Sequence, residues 1–237
     1  MPSKPGSIYL IPCGLGDNPR FPGVNPEIIA VCNAVDGFLA ENPKTCRAFL
    51  KTLDLDKKLQ DFEYYLLDKK SPAQDLMDYL KLLKEGKKLG IISEAGCPGI
   101  ADPGALMVSL AQRNDINIIP LVGPSSILMA IMGSGLSGQQ FTFHGYLPIK
   151  EGEQKKRLDG CIQQAMIGYS QVVMDTPYRN LRLFQTLVKQ LPLDFKLCIA
   201  ANITQKDEWI KTHSIAEWRK LPEPNIHKIP AILLFGL

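Results

Sequence analysis

Apolar and polar positions along this chain fall into short blocks that switch between a strand period and a helix period. Ser7 to Ile11 (SIYLI) is an apolar strand candidate, followed by the loop PCGLGDNPRFPG. Asn25 and Pro26 then supply an N-cap and a first-turn proline for a helix over EIIAVCNAV. GFLAEN predicts a second strand ending in polar loop, and after a variable middle Ser71-Pro72 opens another helix. Leu76, Leu80 and Leu83 lie on one face of it, and Glu85-Gly86-Lys87-Lys88 places glycine and cations where a helix ends. The strand LGIIS, the loop ISEAGCPGIADPG, the helix ALMVSLAQRND, the strand INIIPLV, the loop GPSS and the helix ILMAIMGSG follow. Strands alternating with helices of this length mark βαβ units, whose crossovers bring the strand ends and their loops to one edge.

The second half changes style. FTFHGYL alternates as a strand, KEGEQKKRLDGCIQQAM is a polar-faced helix, SQVVMDTP a strand and loop, and RNLRLFQTLVKQL a further helix. LCIAANITQ, WIKTHSIAEW and IPAILLFGL read as more strands with one short helical piece, a pattern that fits a partly antiparallel sheet. GPSS and GSGLSG punctuate the chain between Val122 and Ser137. The expected fold class is therefore α/β in two domains, residues 1–122 with a mostly parallel sheet and residues 123–237 with a mixed one.

Composition narrows the class without choosing a partner. With 45% hydrophobic and 22% charged residues over 237 positions, the chain has enough apolar surface for one large or two compact domains. The formal charge of +3 lacks the dense Lys/Arg stripes that by themselves argue for nucleic acid. The cysteines at 13, 32, 46, 97, 161 and 198 never form a CxxC pair, so they read as thiols of a reducing cytosol and no metal site is expected. SIYLIPCG is too short for a signal peptide and no apolar run reaches membrane length, which makes a cytoplasmic protein the expectation.

Four loops stand at predicted carboxyl ends of strands: PCGLGD, ISEAGCPGIADPG, VGPSS and VMDTPYR. In an open parallel sheet that edge leaves backbone groups unpaired and holds ligands. Gly14 and Gly16 begin a GxGxxG spacing, but Pro19 stands at the third glycine position, which disfavours a dinucleotide grip; taken alone, these glycines read as a tight turn after a strand. Asp102 and Pro103 could cap the helix starting near Gly104 with Glu94 solvated; alternatively, Ala95-Gly96-Cys97-Pro98 brings bare backbone against a flat ligand. Ser125 and Ser126 suit N-caps as well as ligand contacts. His144 reads as a core or surface histidine, and Lys155-Lys156-Arg157 as a solvated helix face.

Taken together, YLIPCGLGD, IISEAGCPGIADPG, PLVGPSS, GYLPIK and MDTPYRNL resemble the ordered motif set of the tetrapyrrole methylase family of S-adenosylmethionine-dependent methyltransferases. The resemblance spans nearly the whole chain and is greatest to the branch that 2′-O-methylates a cytidine of small-subunit ribosomal RNA. It implies two α/β domains with the cofactor in the cleft between them, and a homodimer. Carried over by position, it implies cofactor contacts from Pro12, Gly14 and Gly16, from Gly96, Cys97, Pro98, Ile100 and Ala101, and from Ser125 and Ser126. In the second domain it implies contacts from Met174, Ala201 and Ala231.

Departures from that branch fall on the substrate side. Asn42, Pro43 and Lys44 stand where the branch has an acidic, threonine- and arginine-containing segment. Asp175 and Thr176 replace a glutamate and a serine, Ala201 and Asn202 an arginine and a glutamate, and His144 an acidic residue. For a ribose hydroxyl acceptor, a base is expected among Glu94, Asp102 and Asp175, with Arg179 or Lys150 holding phosphate. The expected partner is thus ribosomal RNA or the small subunit; a corrin or porphyrin precursor, and a cofactor-binding module without catalysis, are the competing readings.

Overall fold

The computed structural model describes residues 5–16 and 25–237. Residues 17–24, which include Pro19, lie outside the described residues. The chain divides into two compact units, Met1–Pro124 and Ser125–Leu237.

In the first unit, β1 (Ser7–Ile11), β2 (Gly37–Ala40), β3 (Glu63–Leu66), β4 (Lys88–Ile92) and β5 (Asn117–Pro120) form one sheet in the order β3-β2-β4-β1-β5. Every neighbouring pair is parallel, with Ile11 and Ala40 both in register with Ile92. The connecting helices are α1 (Pro26–Ala34), α2 (Pro43–Lys51), α3 (Ala73–Lys84) and α4 (Gly104–Gln112). Local chemistry sets their starts: the side chains of Asn25 and Asn42 accept from Ile28 N and Lys44 N, both at 3.0 Å, and a proline follows each. One face of the sheet buries Ile11, Phe38 and Ile92 against Ile28, Cys32 and Leu50; the other buries Ile8, Leu39 and Ile91 against Leu80, Leu83 and Met107. A sheet covered on both sides accounts for the continuous apolar runs of β1, β2 and β4.

The second unit contains α5 (Ser126–Ser134), β6 (Phe141–Tyr146), α6 (Glu151–Met166), β7 (Ser170–Met174), α7 (Asn180–Gln190), β8 (Lys196–Ala201), β9 (Trp209–Ser214), α8 (Ile215–Trp218) and β10 (Ala231–Gly236). Its sheet runs β6-β7-β10-β8-β9, parallel only between β6 and β7. The core joins α6 and α7 to the sheet through Leu158, Cys161, Leu183, Phe184, Leu233 and Phe235. WIKTHSIAEW divides at Ser214, whose hydroxyl and the Glu217 carboxylate make a reciprocal capping box. Among the described residues no helix is long and apolar enough to cross a membrane, and no group of His, Cys, Asp and Glu could hold a metal ion.

Candidate functional site

All five strands of the first unit end at the same sheet edge, and three of the loops leaving it are tied together by main-chain contacts. Cys13 N donates to Gly96 O at 3.1 Å, and Gly96 N donates to Gly14 O at 3.3 Å, so the turn after β1 and the loop after β4 form a short antiparallel bridge. The loop after β5 closes on both. A Cβ at Gly123 would lie 2.1 Å from Pro12 Cβ, and one at Gly96 would lie 3.2 Å from Pro124 O. Cys97 Sγ sits 3.3 Å from Pro124 O, a thiol donating to a carbonyl. The small residues of these loops are therefore demanded first by each other.

What remains is a stretch of exposed backbone. Gly96, Gly99 and Ala101 adopt positive φ values of 69°, 81° and 61°, reversing the chain repeatedly between β4 and α4. A Cβ at Gly99 would meet nothing nearer than Ala105 N at 4.0 Å, which leaves open space along the main chain there. Ile100 and Val122 flank that edge at 54% and 77% exposure, large apolar side chains left in solvent on two of the joined loops. Main-chain donors and acceptors beside uncovered apolar groups suit a ligand with a flat, partly apolar body and polar rims.

The carboxylates of this edge divide by partner. Asp102 Oδ1 accepts from Gly99 N at 2.6 Å and Gly104 N at 2.8 Å, so this side chain holds the loop to the start of α4. Burial raises its pKa against the opposing pull of those two N–H groups. Glu94 is exposed, and its Oε1 accepts from Thr45 Oγ1 on α2 at 2.9 Å. Glu41, one residue beyond β2, has its pKa raised by burial first and by the nearby Glu94 charge second. Cys13 is pushed up to about 11 by burial, and burial raises Cys97 as well, so neither thiol is an ionised nucleophile at neutral pH.

In the second unit the three positions implied for the cofactor come together at one edge of the sheet. Ala201 pairs with Ala231, and Ile232 pairs with Met174, which places the end of β7, the end of β8 and the start of β10 side by side. Ala201 and Ala231 are buried, Met174 half-buried. Next to them Asp175 Oδ1 accepts from Thr176 N at 2.7 Å and from both Nε and a terminal nitrogen of Arg179, so the predicted catalytic pair is an ion pair within one turn. Ser125 is the N-cap of α5, with Leu128 N donating to its hydroxyl at 3.5 Å, and Ser126 is the first helical residue. Lys150 forms an exposed ion pair with Glu153 at 3.5 Å.

Two participants were not singled out from sequence. Thr45 sits on α2, whose apolar stripe is reduced to Cys46 and Leu50 and so gives a weak helical signal. Asn180 begins α7 fully buried; its amide donates to Ile229 O at 2.6 Å, and its Oδ1 has no hydrogen-bond partner among the described residues. The signal in the sequence is a short amide side chain directly after Arg179, ahead of an apolar-periodic helix.

No protein-family model matches the chain. A ribosomal RNA small subunit methyltransferase I of Streptococcus pyogenes serotype M3 is 30% identical over 214 residues, covering 90% of this chain and 70% of the relative. The protein of the same name from Vibrio cholerae serotype O1 is 26% identical over 217 residues, covering 92% and 72%. Among solved structures, the methyltransferase CobJ matches with a TM-score of 0.65 at 16% identity, covering 98% of this chain and 94% of that one. A diphthine synthase matches with a TM-score of 0.65 at 11% identity, covering 98% and 90%. These two share the fold.

Proposed function

Because the chain belongs to the ribosomal RNA small subunit methyltransferase I family, we propose that it transfers a methyl group from S-adenosylmethionine to a ribose 2′-oxygen of small-subunit ribosomal RNA, as a cytoplasmic homodimer. The observation that carries the cofactor assignment is the junction of the three loops at Pro12–Gly14, Gly96–Ala101 and Gly123, with open backbone at Gly99 between exposed Ile100 and Val122. That surface fits a cofactor with a flat adenine, a polar ribose and a charged methionine tail. Pro12, Gly14, Gly16, Gly96, Cys97, Pro98, Ile100 and Ala101 are its proposed contacts in the first unit. Ser125, Ser126, Met174, Ala201 and Ala231 are those in the second.

When bound, the cofactor supplies a methyl group on a positively charged sulfur, already activated for in-line displacement. The chain's own work is then alignment and removal of one proton from the acceptor hydroxyl. Of the proposed bases, Glu94 is the exposed one, held by Thr45 at 2.9 Å, whereas Asp102 and Asp175 each commit Oδ1 to local hydrogen bonds. Glu94 is therefore assigned the proton, Asp102 the shape of the loop, and the Asp175–Arg179 pair the presentation of a guanidinium to the RNA backbone.

The test is transfer of a labelled methyl group to three acceptors: small ribosomal subunits from cells lacking the gene, naked ribosomal RNA, and a uroporphyrin-type tetrapyrrole. The expected result is label in small-subunit RNA, at a nucleotide whose phosphodiester resists alkali. Label in the tetrapyrrole alone, or cofactor binding with no transfer, would replace this reading with one of its two competitors.

A further inference from the structure

In the second unit a groove of about 350 Å³ lies along α6 and β6, lined by His144, Glu153, Lys156, Arg157, Gly160, Cys161 and Gln164. Its lining carries two cations, Lys156 and Arg157, against one carboxylate, Glu153. Lys155 pairs with Asp159 at 3.0 Å and Lys150 with Glu153 at 3.5 Å, whereas neither Lys156 nor Arg157 pairs with a carboxylate among the described residues. Residues 153, 156, 157, 160 and 164 share one helical face by their spacing of three and four. Gly160 leaves that face open, because a Cβ there would meet nothing within 4 Å.

The orientation of Arg157 follows from a chain of hydrogen bonds that begins in the core. Gln171 is fully buried on β7, and its Nε2 donates to Tyr169 O at 2.8 Å, which leaves Oε1 facing His144. His144 Nε2 lies 2.7 Å from that oxygen and must carry the proton. Nδ1 is then an acceptor, and an Arg157 terminal nitrogen donates to it at 3.1 Å. A neutral acceptor fixes the guanidinium without neutralising it, and the remaining N–H groups stay available for an anion. Burial lowers the His144 pKa, the Gln171 bond opposes that and the Arg157 charge adds to it, in keeping with a neutral ring.

We propose that Arg157, anchored by His144 and joined by Lys156 over the space left at Gly160, is a phosphate-binding site for the backbone of the RNA acceptor. The proposal rests on the RNA reading above and extends it to a surface that the cofactor assignment does not use. Arg157 and Lys156 touch the ligand; His144 and Gln171 are positioning residues. A planar fork and a second cation on one face match a phosphodiester, and such contacts bind every sequence alike while adding to the salt dependence.

The experiment measures fluorescence anisotropy of a labelled fragment of small-subunit ribosomal RNA as a function of salt, for wild type, Arg157→Gln and Arg157→Lys. Arg157→Gln is expected to weaken binding roughly tenfold and to reduce the slope of log K against log salt by about 1. Arg157→Lys should keep the slope but lose affinity, because charge remains and the fork does not. Unchanged affinity and slope in Arg157→Gln, with unchanged circular dichroism, overturn the proposal. If wild type binds no RNA, the RNA reading fails, and the site is judged by titrating inorganic phosphate and following the His144 ring nitrogen resonances. A shift in wild type that Arg157→Gln abolishes retains the anion site; no shift removes it.

Discussion

Two carboxylates of the same loop, Asp102 and Glu94, differ in what they hold: Asp102 binds main-chain N–H groups and Glu94 the hydroxyl of Thr45. Asp102 takes two main-chain N–H groups on one oxygen, so Asp102→Ala should cost about 2 kcal/mol of stability, read by urea unfolding, because half-buried donors lose a charged acceptor. Asp102→Asn can still accept both bonds through its amide oxygen and should retain most of that stability and measurable methyl transfer. Glu94→Gln should leave stability unchanged and reduce kcat by roughly two orders of magnitude or more, as loss of a general base does. The pH dependence has a definite sign. Burial raises the pKa of Asp102, so the contribution of its titration to stability is present below its ordinary value of 3.8 and is lost as pH rises through the raised folded value. The stability of wild type relative to Asp102→Asn should therefore decline with rising pH across that interval, and a difference that grows with pH would refute the assignment. Asp102 as a helix-start residue was legible in the Asp-Pro-Gly order. The Thr45–Glu94 hydrogen bond was not, because it joins positions 49 apart whose strands become neighbours only in the folded sheet.

At the scale of elements, the loop between β4 and α4 carries both the proposed site and local strain. Ala101 holds a φ of 61°, a left-handed conformation that costs an L-residue about 1–2 kcal/mol. Ala101→Gly should be neutral or stabilising by up to about 1 kcal/mol, and Ala101→Val should destabilise by more than about 1 kcal/mol, in thermal or urea unfolding. Equal effects of the two would mean that the backbone there is not held in that conformation. Most elements were readable from period and caps, including the strand-to-helix change inside WIKTHSIAEW. The segment from Pro43 to Leu66 was not. Asn42-Pro43 repeats the capping signal of Asn25-Pro26, but the lysines and arginine of α2 obscured its apolar stripe, of which only Cys46 and Leu50 are buried. β3 is an edge strand of four residues, EYYL, only partly covered, so it lacks the continuous apolar run of the inner strands.

At the scale of the whole molecule, the sequence showed a change from parallel to mixed sheet, and the two units indeed bury separate cores around sheets of those two kinds. The convergence of three loops on one sheet edge was legible from the order of strands and helices, because parallel βαβ units allow no other arrangement. The internal bonding of those loops was not, since Cys13, Gly96 and Gly123 meet only after β1, β4 and β5 have assembled. Ligand binding to the native state alone should raise stability by about 2.7 kcal/mol at a hundredfold excess over Kd, which a thermal shift with S-adenosylmethionine would register. If the joined loops form the cofactor site, calorimetric titration of S-adenosylmethionine into wild type and Gly123→Val will distinguish the two proteins. Saturable binding in wild type, weakened at least roughly tenfold in a folded Gly123→Val whose side chain must displace Pro12, is the predicted result. Equal affinity in the two proteins, or no binding by wild type, would contradict it.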